Sequence, residues 1–312
     1  MLPIIPPLDK KLLLSELTAD RFVRDTNNGS NQIYIITHSD SPNVMREIGR
    51  LREITFRAAG GGTGKEIDID EYDIANNAPY RQLIVWNPVE QEIIGGYRYI
   101  SCKDAPLNEH GAISLATTEL FHFSDKFITD YVPYTIELGR SFVQPRYQPS
   151  NENRKGLFSL DNLWDGLGAI IVDNPQIKYF FGKVTMYLHF NSLARDMILH
   201  FMNHYFPDHE NLVRPINPLS IKHDMTEFTK ELEGLSYKDG HRVLNHHVRT
   251  LGENIPPLFN SYMNLSDTMK TFGTSLNDHF GAVEETGILV TISEIYESKK
   301  DRHIATYHPK RK

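Results

Sequence analysis

The chain has 312 residues, 40% of them hydrophobic and 23% charged, enough to bury a real core as one large or two ordinary domains. A formal net charge of -7 excludes a chain that coats nucleic acid, so any anionic partner must meet a local basic patch. One cysteine, Cys102, excludes an internal disulfide and a thiol-rich metal site and suits a reducing, cytoplasmic compartment. The opening stretch MLPIIPPLDKKLLLSEL lacks a basic segment ahead of an apolar run and is interrupted by Pro3, Pro6 and Pro7, so it reads as a poor secretion signal. No segment approaches the roughly 18 consecutive apolar residues of a membrane span.

Residues 1–30 read as an N-terminal arm. From Ile33 the pattern alternates: IYIITHS is strand-like, VMREIGRLREITFRAAG has helical spacing, and RQLIVWN and EIIGGYRYISC are strand-like again, joined by a hairpin at Asn-Pro-Val-Glu. YTIELGRSFVQPRY follows as another buried strand. DNLWDGLGAIIVDN predicts a helix capped by Asp161, KYFFGKVTM a strand, and NSLARDMILHFMNHYF a helix capped by Asn191. About 207–253 reads as a more polar helical insertion, GILVTISEI as a returning strand, and 299–312 as a basic tail, either a solvated end or a contact for a membrane surface. The expectation is a single α/β domain over 31–298, with a mixed sheet and flanking helices.

Charges interrupt the elements that should be buried. Arg52 and Phe56 lie one turn apart on one helix face, Asp70 and Asp73 follow a glycine-rich stretch, Arg98 sits in a strand, and Glu137 and Arg140 sit in another. In a regular strand residues three apart face opposite ways, so Glu137 and Arg140 share an environment only if a bulge intervenes, which Gly139 would tolerate. Bulges re-aim side chains beside active sites and leave backbone N–H groups unpaired, here available to a thioester carbonyl. Taken singly, these charges read first as a buried ion-pair lattice that fixes the fold.

Together, in order, Arg52, Phe56, Asp70, Asp73, Arg98, Glu137 and Arg140 resemble the pattern of the acyl-homoserine-lactone autoinducer synthases, a branch of the GCN5-related N-acyltransferase superfamily. A longer resemblance, from about Val44 to Ile295, is to the acyl-carrier-protein-dependent amino-acid N-acyltransferases that make lyso-ornithine and glycine lipids. It rests on RLREITF, GGYRYI, ELGRSFVQPRY, YFFGKVTM, IPPLFNSYMNL and HFGAVEETGILVTI. The chain lacks the tryptophan that autoinducer synthases carry after the Arg-Phe helix.

The resemblance implies two splayed parallel strands, IELGRSFV and KYFFGKV, with the acyl-phosphopantetheine of acyl carrier protein between them. Acyl-coenzyme A is the alternative donor, and no bound cofactor or metal is implied. The acceptor is then an amino acid of glycine or ornithine type. Glu137 is the base, assisted by Arg140, while Arg52, Phe56, Asp70, Asp73 and Arg98 serve the acceptor. The backbone at Ser141, Phe142 and Val143 would stabilise the oxyanion, and Arg146, Arg154 and Lys155 would meet the acidic carrier. The alternatives are an autoinducer-type synthase and a non-catalytic carrier- or membrane-binding homologue of the kind given haemolysin labels. Gly60 to Gly64 imitates a phosphate loop without its ends and reads as a flexible gate over the acceptor site. His200 and His204, one turn apart, read as an ordinary helix face.

Overall fold

The computed structural model describes residues 1–148, 156 and 158–309. In chain order its elements are α1 (Lys10–Glu16), β1 (Phe22–Asp25), β2 (Gln32–Ile36), α2 (Pro42–Ala58), α3 (Glu71–Ile74), β3 (Arg81–Asn87), β4 (Glu92–Ser101), β5 (Phe121–Phe123), β6 (Thr135–Val143) and α4 (Ser159–Asp173). They continue with β7 (Tyr179–Met186), α5 (Ser192–Tyr205), β8 (Val213–Pro215), α6 (Thr226–Leu232), α7 (Tyr237–Thr250), α8 (Pro257–Met263), β9 (Lys270–Asn277), β10 (Val283–Thr291) and α9 (Glu297–His303). The chain divides into two compact units: Met1–Ala116 with Pro133–Lys178 and Tyr296–Lys312, and Thr117–Val132 with Tyr179–Ile295.

The first unit holds an antiparallel ladder in the order β1-β2-β3-β4-β6. Its central strands are continuous apolar runs because both faces are covered: β3 is buried from Gln82 to Trp86 and β4 from Ile93 to Ile100. The Asn87 side chain makes the turn between them by accepting from the N–H groups of Val89 (3.0 Å) and Glu90 (3.1 Å). α2 opens with Pro42, whose missing N–H is no loss there, and buries Val44, Met45, Ile48, Leu51 and Phe56 at helical spacing.

Residues 1–30 contain α1 and β1, the latter an edge strand of this ladder. α4 begins at Ser159 with Phe158 at the cap, so Asp161 is not the cap residue. It lies in the first turn, where its carboxylate pairs with Arg302 of α9 instead. The 299–312 stretch begins inside α9, which packs so closely on α4 that a Cβ on Gly168 would lie 2.0 Å from the His303 carbonyl oxygen.

In the second unit β10 pairs antiparallel with both β7 and β9, and β5 pairs with β8. Asn191 caps α5 as expected, accepting from Leu193 N (3.0 Å) and Ala194 N (3.2 Å). The core carries a ring cluster of Phe123, Phe127, Phe181 and Phe272, with centroid distances from 4.9 to 6.3 Å. The insertion supplies β8, α6 and α7. β6 and β7, the strands expected to splay, belong to different units.

Candidate active site

β6 is bulged. Gly96 pairs with Phe142 and Arg98 with Gly139, so Tyr97 of β4 faces two residues, Arg140 and Ser141. Arg140 takes the left-handed conformation, with φ +47°. The bulge thus lies one step beyond Gly139, whose own φ is unexceptional and where a Cβ would make only an ordinary 3.4 Å contact with Arg98 Nε. The strained residue is an arginine, a conformation that costs on the order of 1–3 kcal/mol and needs support from its surroundings. That support is ionic: Arg140 Nε lies 2.9 Å from Asp68 Oδ2, and its Nη2 lies 3.4 Å from Asp70 Oδ2. Just beyond the bulge β4 presents Gly95 opposite Val143, where a Cβ would fall 2.3 Å from the Phe142 carbonyl oxygen, so only glycine allows this approach. Glu137 and Leu138 are buried, whereas Gly139, Arg140 and Ser141 are partly exposed.

The charged residues do form a lattice. Arg52 of α2, fully buried, donates to Asp73 Oδ2 at 3.0 Å and to Gln82, whose own amide donates to Asp73 Oδ1 at 2.9 Å. Arg98 of β4 places one nitrogen 2.6 Å from both carboxylate oxygens of Asp70, and 3.5 Å from Asp73. Local sequence sets up the acidic side. Asp70 is the N-cap of α3, accepting from Tyr72 N (3.1 Å) and Asp73 N (3.3 Å), and Asp73 Oδ2 returns a bond to Asp70 N (3.3 Å). This capping box turns both carboxylates toward the arginines.

Three arginines and three aspartates, Asp68 included, balance in charge. Only its edge is accessible: the side chains of Asp70 and Arg140 are 18% and 13% exposed, against none for Arg52 and Asp73. Phe56, a turn beyond Arg52, is buried. Burial works against the charged form of Arg98, but Asp73 and Asp70 outweigh it and hold it well above its usual value.

Burial likewise pushes the Asp70 carboxyl up, but Arg98 and then Arg140 bring it down to about 2 from the usual 3.8. A carboxyl lowered by folding contributes stability that is complete above its unfolded value and lost as pH falls through its folded one. Asp70 therefore contributes about 2 kcal/mol at neutral pH. In urea unfolding, the gap between wild type and Asp70→Asn, which keeps a capping side chain, closes between about pH 5 and about pH 2.

Glu137 is 1% exposed. Its Oε2 accepts from the Tyr80 hydroxyl at 2.8 Å, and the Tyr80 oxygen accepts from Ala116 N–H at 3.0 Å. The Tyr80 ring lies edge-on to Tyr72, with centroids 5.6 Å apart, and 5.1 Å from the Arg98 guanidinium carbon. Burial, reinforced by Glu137, pushes the Cys102 thiol well above its usual value, so this cysteine stays protonated and is a poor nucleophile.

The glycine-rich stretch is tied down rather than being a flexible gate. Glu53, buried in α2, accepts from Thr63 N (3.1 Å), Thr63 Oγ1 (2.8 Å), Gly64 N (2.8 Å) and Arg57 Nε (2.6 Å). Positive φ at Gly60, Gly62 and Gly64 wraps the chain around that carboxylate.

The structure thus gathers Arg52, Asp70, Asp73, Arg98 and Arg140 in one network and sets Glu137 beside it through Tyr80. Ser141 lies in the bulge and Phe142 and Val143 follow it. Arg146 is mostly exposed and pairs with Glu92 at 2.6 Å, and Arg154 and Lys155 lie outside the described residues. Asp68, Gln82 and Tyr80 are members that sequence reasoning passed over. Asp68 alone carried a visible signal, two residues before Asp70 in the same acidic run.

Residues 51–154 match the acetyltransferase (GNAT) domain family, a span that begins just before Arg52 and takes in every residue of the lattice and of the bulge. Two curated relatives, each named glycine N(α)-acyltransferase, match nearly end to end. The one from Phocaeicola vulgatus is 55% identical over 98% of this chain and 94% of its own length, and the one from Bacteroides thetaiotaomicron is 57% identical over 98% and 91%. The chain belongs to this N-acyltransferase family. Among solved structures, the acyltransferase is similar to the acyl-homoserine-lactone synthase LasI, at 9% identity and a TM-score of 0.42 over 90% of this chain and 98% of that one. It is also similar to the coenzyme-A-dependent synthase BjaI, at 11% identity and 0.37 over 87% and 86%. Among its described residues, no helix is long and apolar enough to cross a membrane, and no group of three or more His, Cys, Asp or Glu side chains converges on a metal position.

Proposed function

We propose that the acyltransferase moves a fatty or 3-hydroxy fatty acyl group from the phosphopantetheine thioester of acyl carrier protein to the α-amine of glycine, in the cytoplasm, as the first step of aminolipid synthesis. The observation that carries this reading is the two-against-one register at Arg140 and Ser141, one short step along β6 from a buried glutamate. The names of the two relatives support glycine over ornithine as acceptor. Arg146, Arg154 and Lys155 suit an anionic donor, and with only Gly156 following them the sequence lacks a glycine-rich loop to cradle a pyrophosphate, which supports an acidic carrier over free coenzyme A.

The chemistry follows from the residues. Glycine arrives as a zwitterion whose nitrogen is almost wholly ammonium at neutral pH, and it must lose a proton before it can attack. The accessible edge of the lattice offers one cation, Arg140, and one anion, Asp70, which complement that zwitterion. Arg52 is sealed and Arg98 nearly so, so the carboxylate falls to Arg140 at the accessible edge, where it would share that guanidinium with Asp68 and Asp70. Glu137 takes the ammonium proton, directly or through water. The amine attacks the thioester carbonyl, and the oxyanion meets backbone N–H groups released from the ladder at the bulge, at Arg140 and Ser141. The C–S bond breaks as the C–N bond is completed, and the departing thiolate takes up the second proton that the nitrogen releases on becoming an amide. With Cys102 buried and protonated, transfer is direct and passes through no acyl-cysteine.

Mass spectrometry of lipids from a host expressing the chain tests the reading. The expected result is a new N-acylglycine series. No new acylated amino acid, or an acyl-homoserine lactone in its place, contradicts it.

A further inference from the structure

Tyr80 belongs to none of the roles assigned above, yet it touches the base and the lattice at once. A tyrosine hydroxyl carries one proton and two lone pairs. The Ala116 amide N–H, 3.0 Å away, occupies an acceptor position on the Tyr80 oxygen, so the hydroxyl proton cannot point that way. Glu137 Oε2, at 2.8 Å, receives it.

The ring cannot swing out of this arrangement. It is 1% exposed and clamped between the edge of Tyr72 and the guanidinium of Arg98, itself anchored to Asp70 and Asp73. We infer that Tyr80 is a positioning residue for the acyl transfer: its hydroxyl, oriented by the Ala116 amide and held by Arg98, keeps the Glu137 carboxylate aimed and ionised so that it can take the amine's proton. This rests on the reading of Glu137 as the base.

The electrostatic setting agrees. Burial, and then Glu137 itself, raise the Tyr80 hydroxyl well above its usual value, so Tyr80 remains a donor throughout the working pH range. Arg98 from β4, Tyr72 from α3 and Cys102 just beyond β4 are among the titratable and charged groups facing the pair. Arg98 and Cys102 keep one protonation state across neutrality, so an acid limb of the rate profile that moves when only the Tyr80 donor is altered reports on the carboxylate. A donor to the charged form favours that form, so removing it moves the limb to higher pH and strengthening it moves the limb to lower pH.

The test uses the purified full chain carrying Tyr80→Phe or, separately, 3-fluorotyrosine at position 80, whose phenol is the stronger donor in nearly the same volume. Tyr80→Phe is expected to lower kcat about 10- to 100-fold, with KM for glycine and for acyl carrier protein changed by less than about threefold. Its acid limb should move up by about one pH unit, and that of the fluorinated protein should move down by a few tenths. A limb that stays put in the fluorinated protein, or a KM rise without a fall in kcat, overturns the inference. If the phenylalanine variant does not fold, the fluorinated protein decides alone. Glu137→Gln separates the layers: full activity there removes the base itself, whereas its loss alongside an unmoved limb removes only the role of Tyr80.

Discussion

Glu137→Gln should lower kcat by about 10²- to 10⁴-fold while leaving donor binding unchanged, the range associated with removing a positioned general base. Glutamine keeps the volume of the side chain, and its amide oxygen can still accept the Tyr80 hydroxyl, so the buried site stays packed and hydrogen-bonded. What is lost is the capacity to accept a proton. The readout is a single-turnover transfer from acyl carrier protein, with carrier binding measured in parallel. A purely structural Glu137 would give activity within about twofold of wild type in a protein that still folds. A non-catalytic carrier-binding protein would show no transfer in either form.

Arg98→Met should be the most destabilising single change in the site, by about 3–5 kcal/mol, because it leaves buried carboxylates short of their cation. Arg98 is the hinge of the lattice: one nitrogen serves both oxygens of Asp70, Asp73 lies 3.5 Å away, and the guanidinium lies against the Tyr72 and Tyr80 rings. Methionine replaces the aliphatic stem but none of that charge. Neutralising the stranded partner should recover much of the loss, so Arg98→Met with Asp70→Asn, which leaves two arginines against two aspartates and keeps Asp73 on Arg52, should unfold at higher urea than Arg98→Met alone. A double variant less stable than the single one would show that the Asp70 carboxylate is not the source of the penalty.

How legible all this was in the sequence depends on whether the determining contact is local. β3 and β4 could be read because strands buried on both faces are written as unbroken apolar runs, and the Asn87 turn between them carries its own signature. The helix caps divide on the same principle. Asn191 bonds to amides two and three residues on, whereas Asp161 is drawn away by Arg302, 141 residues distant. β9 was overlooked because Gly273, at φ +84°, breaks its alternation at an irregularity opposite β10.

In the site, the position of the bulge could be read to within one residue, but not the residue that bears it. Gly139 looked like the permissive position, while Arg140 adopts the left-handed conformation because Asp68 and Asp70 hold it from about seventy residues away. Tyr80 gave no signal at all. An aromatic ahead of a strand reads as core, and its partners Ala116, Glu137 and Arg98 converge only in the folded chain. The two readings of the charged residues, fold-fixing lattice and working site, proved not to exclude each other. Arg52 and Asp73 are sealed inside, and the same network brings Asp70 and Arg140 to an accessible edge.

The most direct measurement is the stoichiometry of one turnover with purified components: acyl carrier protein bearing a 3-hydroxy fatty acyl group, glycine and the full chain. Free carrier thiol and N-acylglycine should appear together, one for one, with neither formed when glycine is omitted. Thiol release without an acylated amine, or no release at all from a folded protein, would contradict transfer at the bulged strand.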